Sequence, residues 1–569
     1  MSAPRPLPAE IARSFVAPEV DAEFADQLEP VYVRLRALPV ETSEQLTAFL
    51  EAWNEVSCFV AQSAYQLHLW TAQFTDRDDY RDRFLRHNRE VKPSLAQWED
   101  ALDRKLLASD ALAELESRDG YTRFLRQVRG RVELFQEANV PLLAEIEERK
   151  NDYGQVSGGW LVEFRGERHT MSATQRFLAD PDRATREAIW RQWLETLAGT
   201  ADELDGVWEE MFRLRGQVAH NAGFDNFRDY IFAEKLRDYT PDDCFALHEL
   251  IAEEVVPVVS DIAEEAAQKL GVPSFRPWDA AADPDGRDAL RPFETVDQLQ
   301  DGTERMMARL DPELGVWTRA LREHMDLGSR PAKRQGGFMM TLPASRRPYI
   351  FANATGRQDD IVTLLHELGH AFHFLAGHEA APMAETSTPM EFNEVASMAM
   401  ELMHYQTLDE FYGPEDRERA VREHLRRIPR VLASVAMGDA FQHELYTQPD
   451  HTRQERRQLW ISLGKKYSPY IDDEGLDPAL MGVAWHRILH FYLVPFYFIE
   501  YGFAQLGALQ VALDAESDPA RTLRAYKDAL ALGPTRPVAG LYAAAGAEFI
   551  PTRAKVRELM DWVRRGLGL

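Results

Sequence analysis

Two histidines with the spacing of a metal site stand in the segment HELGH, residues 366–370. Residues four positions apart lie on the same face of an α-helix, so His366 and His370 can bind one Zn²⁺ together. Glu367 stands between them and can reach a water molecule at the metal, where a carboxylate acts as general base. The segment therefore predicts a metal-dependent hydrolase with these two histidines as ligands and Glu367 as base.

A third ligand is expected from the segment EFNEVASMAMELM, residues 391–403. Apolar residues surround this predicted helix, which indicates that it is buried. A buried carboxylate is costly unless it is paired or bound to a metal, and catalytic zinc sites often combine two histidines with one glutamate. We therefore expect Glu394 to be the third ligand. Glu401 shares its helix face, and we expect Glu401 to orient a ligand histidine through a hydrogen bond.

Other histidines offer alternative ligand sets. His373 follows on the same predicted helix and leaves a site of three histidines open as an alternative. The metzincin motif would need a histidine where this chain has Ala376. His486 and His490 also stand four apart, but Arg487 takes the place of the glutamate. A metzincin and a second metal-binding histidine pair are therefore not expected.

Two β-strand candidates precede the metal motif, namely residues 336–342 (GGFMMTL) and 349–354 (YIFANA). Pro343 to Pro348 would join them as a hairpin loop. The end of the second candidate could pair with an extended peptide, because main-chain hydrogen bonds give affinity and side-chain pockets give preference. The residues expected to bind substrate in this way are Ala352, Asn353 and Ala354.

Most of the remaining chain has apolar residues at helical spacing, which predicts a mostly α fold. With 569 residues, the chain exceeds what one hydrophobic core usually covers. We expect an N-terminal helical region over residues 1–195 and a catalytic domain over residues 196–569. A proline-containing connector over residues 272–297 interrupts the second part.

A late apolar stretch runs from Ile488 to Leu509. It contains His490, Pro495 and several other polar residues, which are costly in lipid, so we expect a buried helix rather than a membrane span. Proline in a helix interior predicts a kink or break near position 495. The tyrosines and the histidine of this stretch could line a cleft as hydrogen-bond donors to an oxyanion.

The composition excludes several classes of protein. A net charge of −28 argues against binding to nucleic acid and to anionic membranes. Cys58 and Cys244 form no CxxC motif, which excludes a disulfide scaffold and favours a reduced compartment. The start MSAPRPLPAE lacks a basic segment followed by an apolar run. We therefore expect a cytoplasmic protein without a signal peptide.

Taken in order, the motifs resemble the oligoendopeptidase F branch of the thimet oligopeptidase family. The likeness is good over about residues 200–569 and weaker before them. Its carriers are RGQVAHNAGFDNFRDY (215–230), RDYTPDD (237–243), DLGSRPAKRQGGF (326–338), PYIFANATG (348–356), HELGHAFH (366–373), EFNEVASMAME (391–401), FQHELY (441–446), HFYLVPFYFIEYGFAQLG (490–507) and AAGAEF (544–549).

This resemblance implies a large helical zincin-type body, a small β-sheet beside the active-site helix and a deep substrate channel. It implies hydrolysis of internal bonds in short, unfolded oligopeptides by one zinc ion per chain. The resemblance also implies roles in stabilising the oxyanion or positioning substrate for His490, Tyr497 and Tyr501.

Two other functions remain possible at this point. A related dipeptidyl carboxypeptidase would need a cationic anchor for the C-terminus of its substrate. A non-catalytic peptide-binding protein would be marked by a lost ligand or base, and this sequence retains both.

Overall fold

The computed structural model of the chain describes residues 4–384 and 386–569. Over these residues it is mostly helical with two small sheets, which confirms the predicted fold class. The first helices are α1 (Ala25–Ala37), α2 (Ser43–Gln73), α3 (Asp78–Arg86), α4 (Lys92–Leu107), α5 (Leu112–Glu116), α6 (Tyr121–Leu134), α7 (Asn139–Gly158), α8 (Met171–Leu178), α9 (Arg183–Asn221), α10 (Phe227–Glu234), α11 (Pro241–Leu250) and α12 (Val256–Leu270).

The later helices follow the predicted connector. They are α13 (Val296–Leu310), α14 (Pro312–Ala320), α15 (Gln358–Gly377), α16 (Met390–Met403), α17 (Pro414–Thr447), α18 (Arg453–Tyr467), α19 (Pro478–Met481), α20 (Leu489–Leu493), α21 (Phe498–Ser517), α22 (Pro519–Ala531), α23 (Val538–Ala544) and α24 (Arg553–Leu567). Among the described residues, no helix combines the length and the apolar character needed to cross a membrane.

The strands form a hairpin and a three-stranded sheet. They are β1 (Leu161–Phe164), β2 (Glu167–Thr170), β3 (Met325–Gly328), β4 (Phe338–Leu342) and β5 (Arg347–Ala354). β1 and β2 pair antiparallel. The larger sheet has the order β3-β5-β4, with β5 parallel to β3 and antiparallel to β4. The predicted hairpin between the two strand candidates is therefore confirmed.

Contacts divide the chain into two compact units. The first consists of the described residues up to 135, residues 291–417 and residues 507–549. The second consists of residues 136–290, 418–506 and 550–569. The predicted boundary after residue 195 falls inside α9. The division into an N-terminal helical region and a catalytic domain stays a prediction.

The start of the first unit is an α-helical cluster with its own core. Leu46, Phe49, Leu50 and Trp53 recur at helical spacing on α2 and are all buried. α2 begins with a capping box, in which the side chain of Thr42 accepts a hydrogen bond from the amide three residues on. Residues of α1, α4 and α6 complete the same apolar cluster.

In the second unit, the late apolar stretch is interrupted as predicted. α20 ends at Leu493 and α21 begins at Phe498, with Pro495 between them. Phe496 has a φ of 60°, a left-handed conformation that no continuous α-helix contains. The proline therefore separates two helices instead of bending one.

Candidate active site

The N-terminus of α15 is fixed by a carboxylate in its first turn. Asp360 accepts hydrogen bonds from the backbone amides of Thr355, at 2.7 Å, and Arg357, at 2.8 Å. These bonds satisfy donors near the start of a helix and suit its dipole. α15 therefore begins at a defined residue, which sets the direction of every side chain further along it.

A glycine lets α15 and α16 pack with their backbones in close approach. A Cβ atom at Gly369 would lie 2.5 Å from the carbonyl oxygen of Ala396 and 2.5 Å from the Cα of Ser397. No side chain fits at such distances. The glycine inside HELGH therefore allows the acidic face of α16 to reach the two histidines of α15.

The three predicted metal ligands converge on one point. One ligand atom each of His366, His370 and Glu394 lies within 4.8 Å of the other two. The Glu394 Oε2 atom lies 3.5 Å from His366 Nε2 and 3.7 Å from His370 Nε2. Two imidazoles and one carboxylate are a usual donor set for catalytic zinc, so these residues fit a metal ion.

Neighbouring groups fix the directions of two of these donors. His366 Nδ1 lies 2.6 Å from Glu401 Oε1, which leaves Nε2 facing Glu394. The hydroxyl of Ser397 donates to the Glu394 carbonyl at 3.0 Å and to its Oε2 at 3.2 Å. Glu401 therefore lies within hydrogen-bond distance of a ligand histidine, as a carboxylate that orients such a ligand would.

The two histidines differ in their electrostatic surroundings. Burial disfavours the charged form of His366, but the hydrogen bond and negative charge of Glu401 outweigh burial and raise its pKa to about 9. Burial lowers the pKa of His370 to about 3. His370 is therefore neutral at physiological pH, and Glu401 keeps a proton on Nδ1 of His366.

Glu367 is buried beside the sheet. Burial raises the pKa of its carboxyl group to about 7, although the charge of His366 and a hydrogen bond from the backbone N–H of Met339 act to lower it. The nearby Glu394 carboxylate raises it further. A carboxyl group that titrates near neutral pH can accept a proton as a general base and return it as a general acid.

His373 lies outside the group of converging donors. It is buried, its ring packs edge-on against Phe392 with centroids 5.6 Å apart, and burial lowers its pKa to about 4. The third member of the donor group is Glu394. The alternative of three histidine ligands is therefore not supported by the geometry.

The predicted pairing of a substrate peptide with the end of β5 stays a prediction, and the structure shows what these residues already contact. β5 is the central strand of its sheet, and Ala354 pairs with Gly328 of β3. The Ala352 carbonyl accepts a hydrogen bond from the Lys333 ammonium group at 2.5 Å. The Asn353 amide donates to the carbonyls of residues 334 and 336, both at 2.8 Å. The order of strands in the sheet, which the sequence of one strand does not encode, makes β4 the outer strand on that side.

The start of β4 lies against the general-base candidate. A Cβ atom at Gly337 would lie 3.0 Å from Thr363 Cγ2 and 3.7 Å from Glu367 Oε1. The Met339 amide that contacts Glu367 belongs to the same strand. A side chain at residue 337 would therefore crowd Thr363 slightly, while its contact with Glu367 would be of ordinary length.

The late aromatic residues form a cluster of their own in the second unit. The ring of His490 lies 6.1 Å from that of Tyr497 and 5.9 Å from that of Tyr501, between centroids. The two tyrosine rings are 5.0 Å apart. The structure therefore brings the three predicted residues together, and their role toward an oxyanion stays a prediction.

A family model described as Peptidase family M3 matches residues 176–560. The chain belongs to this family. One relative is the oligopeptidase PepF of Bacillus subtilis (strain 168), which is 25% identical over 203 residues. That alignment covers 34% of this chain and 30% of PepF, so the chain matches less than a third of that relative's length.

Longer matches extend the likeness within family M3. The oligoendopeptidase F homolog of Mycoplasma pneumoniae is 22% identical over 441 residues, covering 71% of this chain and 69% of that protein. A solved structure provisionally named oligoendopeptidase F is 26% identical, with a TM-score of 0.90 over 98% of this chain and 99% of its own. The suspected oligoendopeptidase F resemblance is thereby confirmed.

Sequence reasoning missed two parts of this M3 peptidase's site. The Met339 amide is a main-chain group, and no residue type signals its contact with Glu367. Gly369 matters through the side chain that it lacks, and its purpose emerges only when the neighbouring backbone is in place. A glycine between the two motif histidines was the one available signal of close helix packing.

Proposed function

We propose that this member of peptidase family M3 is a zinc-dependent oligoendopeptidase that hydrolyses internal bonds of short, unfolded peptides. The observation that carries the proposal is the convergence of His366, His370 and Glu394, with Glu367 on the helix that holds the two histidines. When bound, zinc polarises the scissile carbonyl group and makes water a better nucleophile at neutral pH.

The chain's own residues supply the proton transfers. Glu367 takes a proton from the attacking water and returns it to the leaving amine. Its buried position and its raised pKa suit both steps. Glu401 and Ser397 hold the ligand side chains in fixed directions, so that less reorganisation is needed during the reaction.

Substrate binding is assigned to main-chain groups and to the late aromatic cluster. An extended peptide would pair with β4, the outer strand whose Met339 amide contacts Glu367. His490, Tyr497 and Tyr501 are the proposed donors to the oxyanion or to substrate. Pairing with a strand edge requires an unfolded substrate, because a folded one has its backbone groups already engaged.

A matched pair of peptides tests the proposal. One peptide carries acetyl and amide groups at its ends, and the other has the same sequence with charged termini. An endopeptidase cleaves both at the same internal bond, whereas a dipeptidyl carboxypeptidase releases dipeptides from the unblocked peptide alone. Mass spectrometry of the products distinguishes the two, and cleavage that survives exhaustive chelation would contradict metal dependence.

A further inference from the structure

A second group of side chains of the types that can bind a metal lies in the second compact unit. Cys244 and His248 stand four residues apart on α11, and Asp439 and His443 stand four apart on α17. One donor atom each of Cys244, Asp439 and His443 lies within 4.8 Å of the other two. All are buried. The predicted catalytic ligands, by contrast, belong to the first unit.

Asp439 and His443 have buried polar atoms without a hydrogen-bond partner among the described residues. Asp439 is 0% exposed, and its Oδ1 has no hydrogen-bond partner among the described residues. Both ring nitrogens of His443 also lack a partner there. Nε2 of His443 lies 3.1 Å from Asp439 Oδ2 without hydrogen-bond alignment. This distance is close to the separation of two donors on a tetrahedral zinc ion, which is roughly 3.3 Å when each bond is about 2.0–2.1 Å long.

The charge of Asp439 is balanced by histidines among the described residues. In the described part of the chain, its ion-pair partners are His248 and His443, and no lysine or arginine contacts it. The ring of His443 is surrounded by Phe245, at 4.8 Å between centroids, and Phe496, at 5.3 Å. A fully buried carboxylate such as that of Asp439 is costly unless a cation accompanies it.

We propose that Cys244, Asp439 and His443 form a buried structural zinc site that links α11 to α17. His248 would position the carboxylate, since its Nε2 lies 2.9 Å from Asp439 Oδ2. Thiolate, imidazole and carboxylate are all zinc ligands, and binding releases the thiol proton to solvent. Three protein donors leave one position of a tetrahedral ion for a small molecule such as water.

Cobalt substitution tests this site separately from the catalytic one. The full-length protein is stripped with a chelator and reloaded with Co²⁺. A thiolate bound to cobalt absorbs in the near ultraviolet by charge transfer, and the set of His366, His370 and Glu394 contains no thiol. Wild type and Cys58→Ala should show this band, whereas Cys244→Ala should lose it. Cys58 is the matched control, because it is also buried but lies outside both donor groups.

Metal counting gives the second readout. Wild type should bind two metal ions per chain, and Cys244→Ala should bind one while keeping peptidase activity below its unfolding temperature. Wild type and Cys58→Ala decide the matter even if Cys244→Ala does not fold. Absence of the charge-transfer band from both proteins would overturn the proposal, and so would a band that Cys244→Ala retains.

Discussion

At the scale of residues, the candidate site depends on the directions of a few side chains. The Glu401 carboxylate holds one nitrogen of His366, so the other nitrogen faces Glu394. Ser397 constrains the Glu394 carboxylate in the same manner. Direct ligands and their supporting groups should therefore differ in the size of their effects.

Glu394→Ala should lose both zinc affinity and activity, because it removes a donor. Glu401→Ala should weaken metal binding or activity by about 10–100-fold, the usual loss when a ligand-orienting group is removed. Metal analysis and kcat/KM measure both effects. Glu379→Ala, a strongly exposed position just after α15, is the control and should change neither. Wild-type zinc content in Glu394→Ala would remove this residue from the ligand set.

Tyr501→Phe should lower kcat by about 10²–10³-fold, the usual cost of losing a preorganised oxyanion donor. KM, zinc content and thermal stability should hardly change, since the bond strengthens only in the transition state. Tyr497→Phe and His490→Ala, measured alongside, identify which member of the cluster acts. If none of the three lowers kcat, the cluster is packing and the oxyanion is stabilised elsewhere.

At the scale of elements, close contact between α15 and α16 brings the donors together. The contact depends on Gly369, whose missing side chain gives room to the backbone of α16 at Ala396 and Ser397. A change at this position should therefore affect the metal site without altering any ligand.

Gly369→Ala should lower stability by about 1–3 kcal/mol, the usual cost of forcing an atom into a packed core, and should weaken zinc binding. Thermal melting and metal titration measure these effects. Gly206→Ala is the matched control, because Gly206 is exposed on α9 and a Cβ there meets no atom within 4 Å. That control should be neutral or slightly stabilising. Equal behaviour of the two variants would contradict the packing role of Gly369.

Local sequence patterns predicted the helices and strands themselves better than they predicted which of them lie side by side. The apolar spacing of α15 and α16 and the short apolar runs of β4 and β5 are properties of the segments themselves, so sequence reasoning found them. β3 was missed because four residues, Met325–Gly328, carry little pattern. The order β3-β5-β4 depends on long-range contacts, and it makes β4 an outer strand of the sheet.

At the scale of the whole molecule, the donors of the two metal groups divide between the compact units. His366, His370 and Glu394 belong to the first unit, whereas Cys244 and Asp439 belong to the second. Each group can therefore be altered without changing a ligand of the other. The net charge of −28 disfavours polyanionic partners and is compatible with peptide substrates.

Cleavage should depend on the folded state of the substrate. A short peptide should be hydrolysed, while the same sequence within a stably folded domain should resist, because strand pairing needs unengaged backbone groups. A destabilised variant of that domain is the control and should become cleavable at the same bond. Comparable rates for the peptide and the stable domain would contradict the proposed substrate class.

The central claim is that Glu367 is the base and not a ligand, and Glu367→Gln tests it most directly. The amide keeps the size of the side chain but cannot accept the proton of water, so kcat should fall by about 10²–10⁴-fold or more. Zinc content, measured on the same sample, should equal that of wild type. Near-normal turnover, or loss of the metal, would contradict the account.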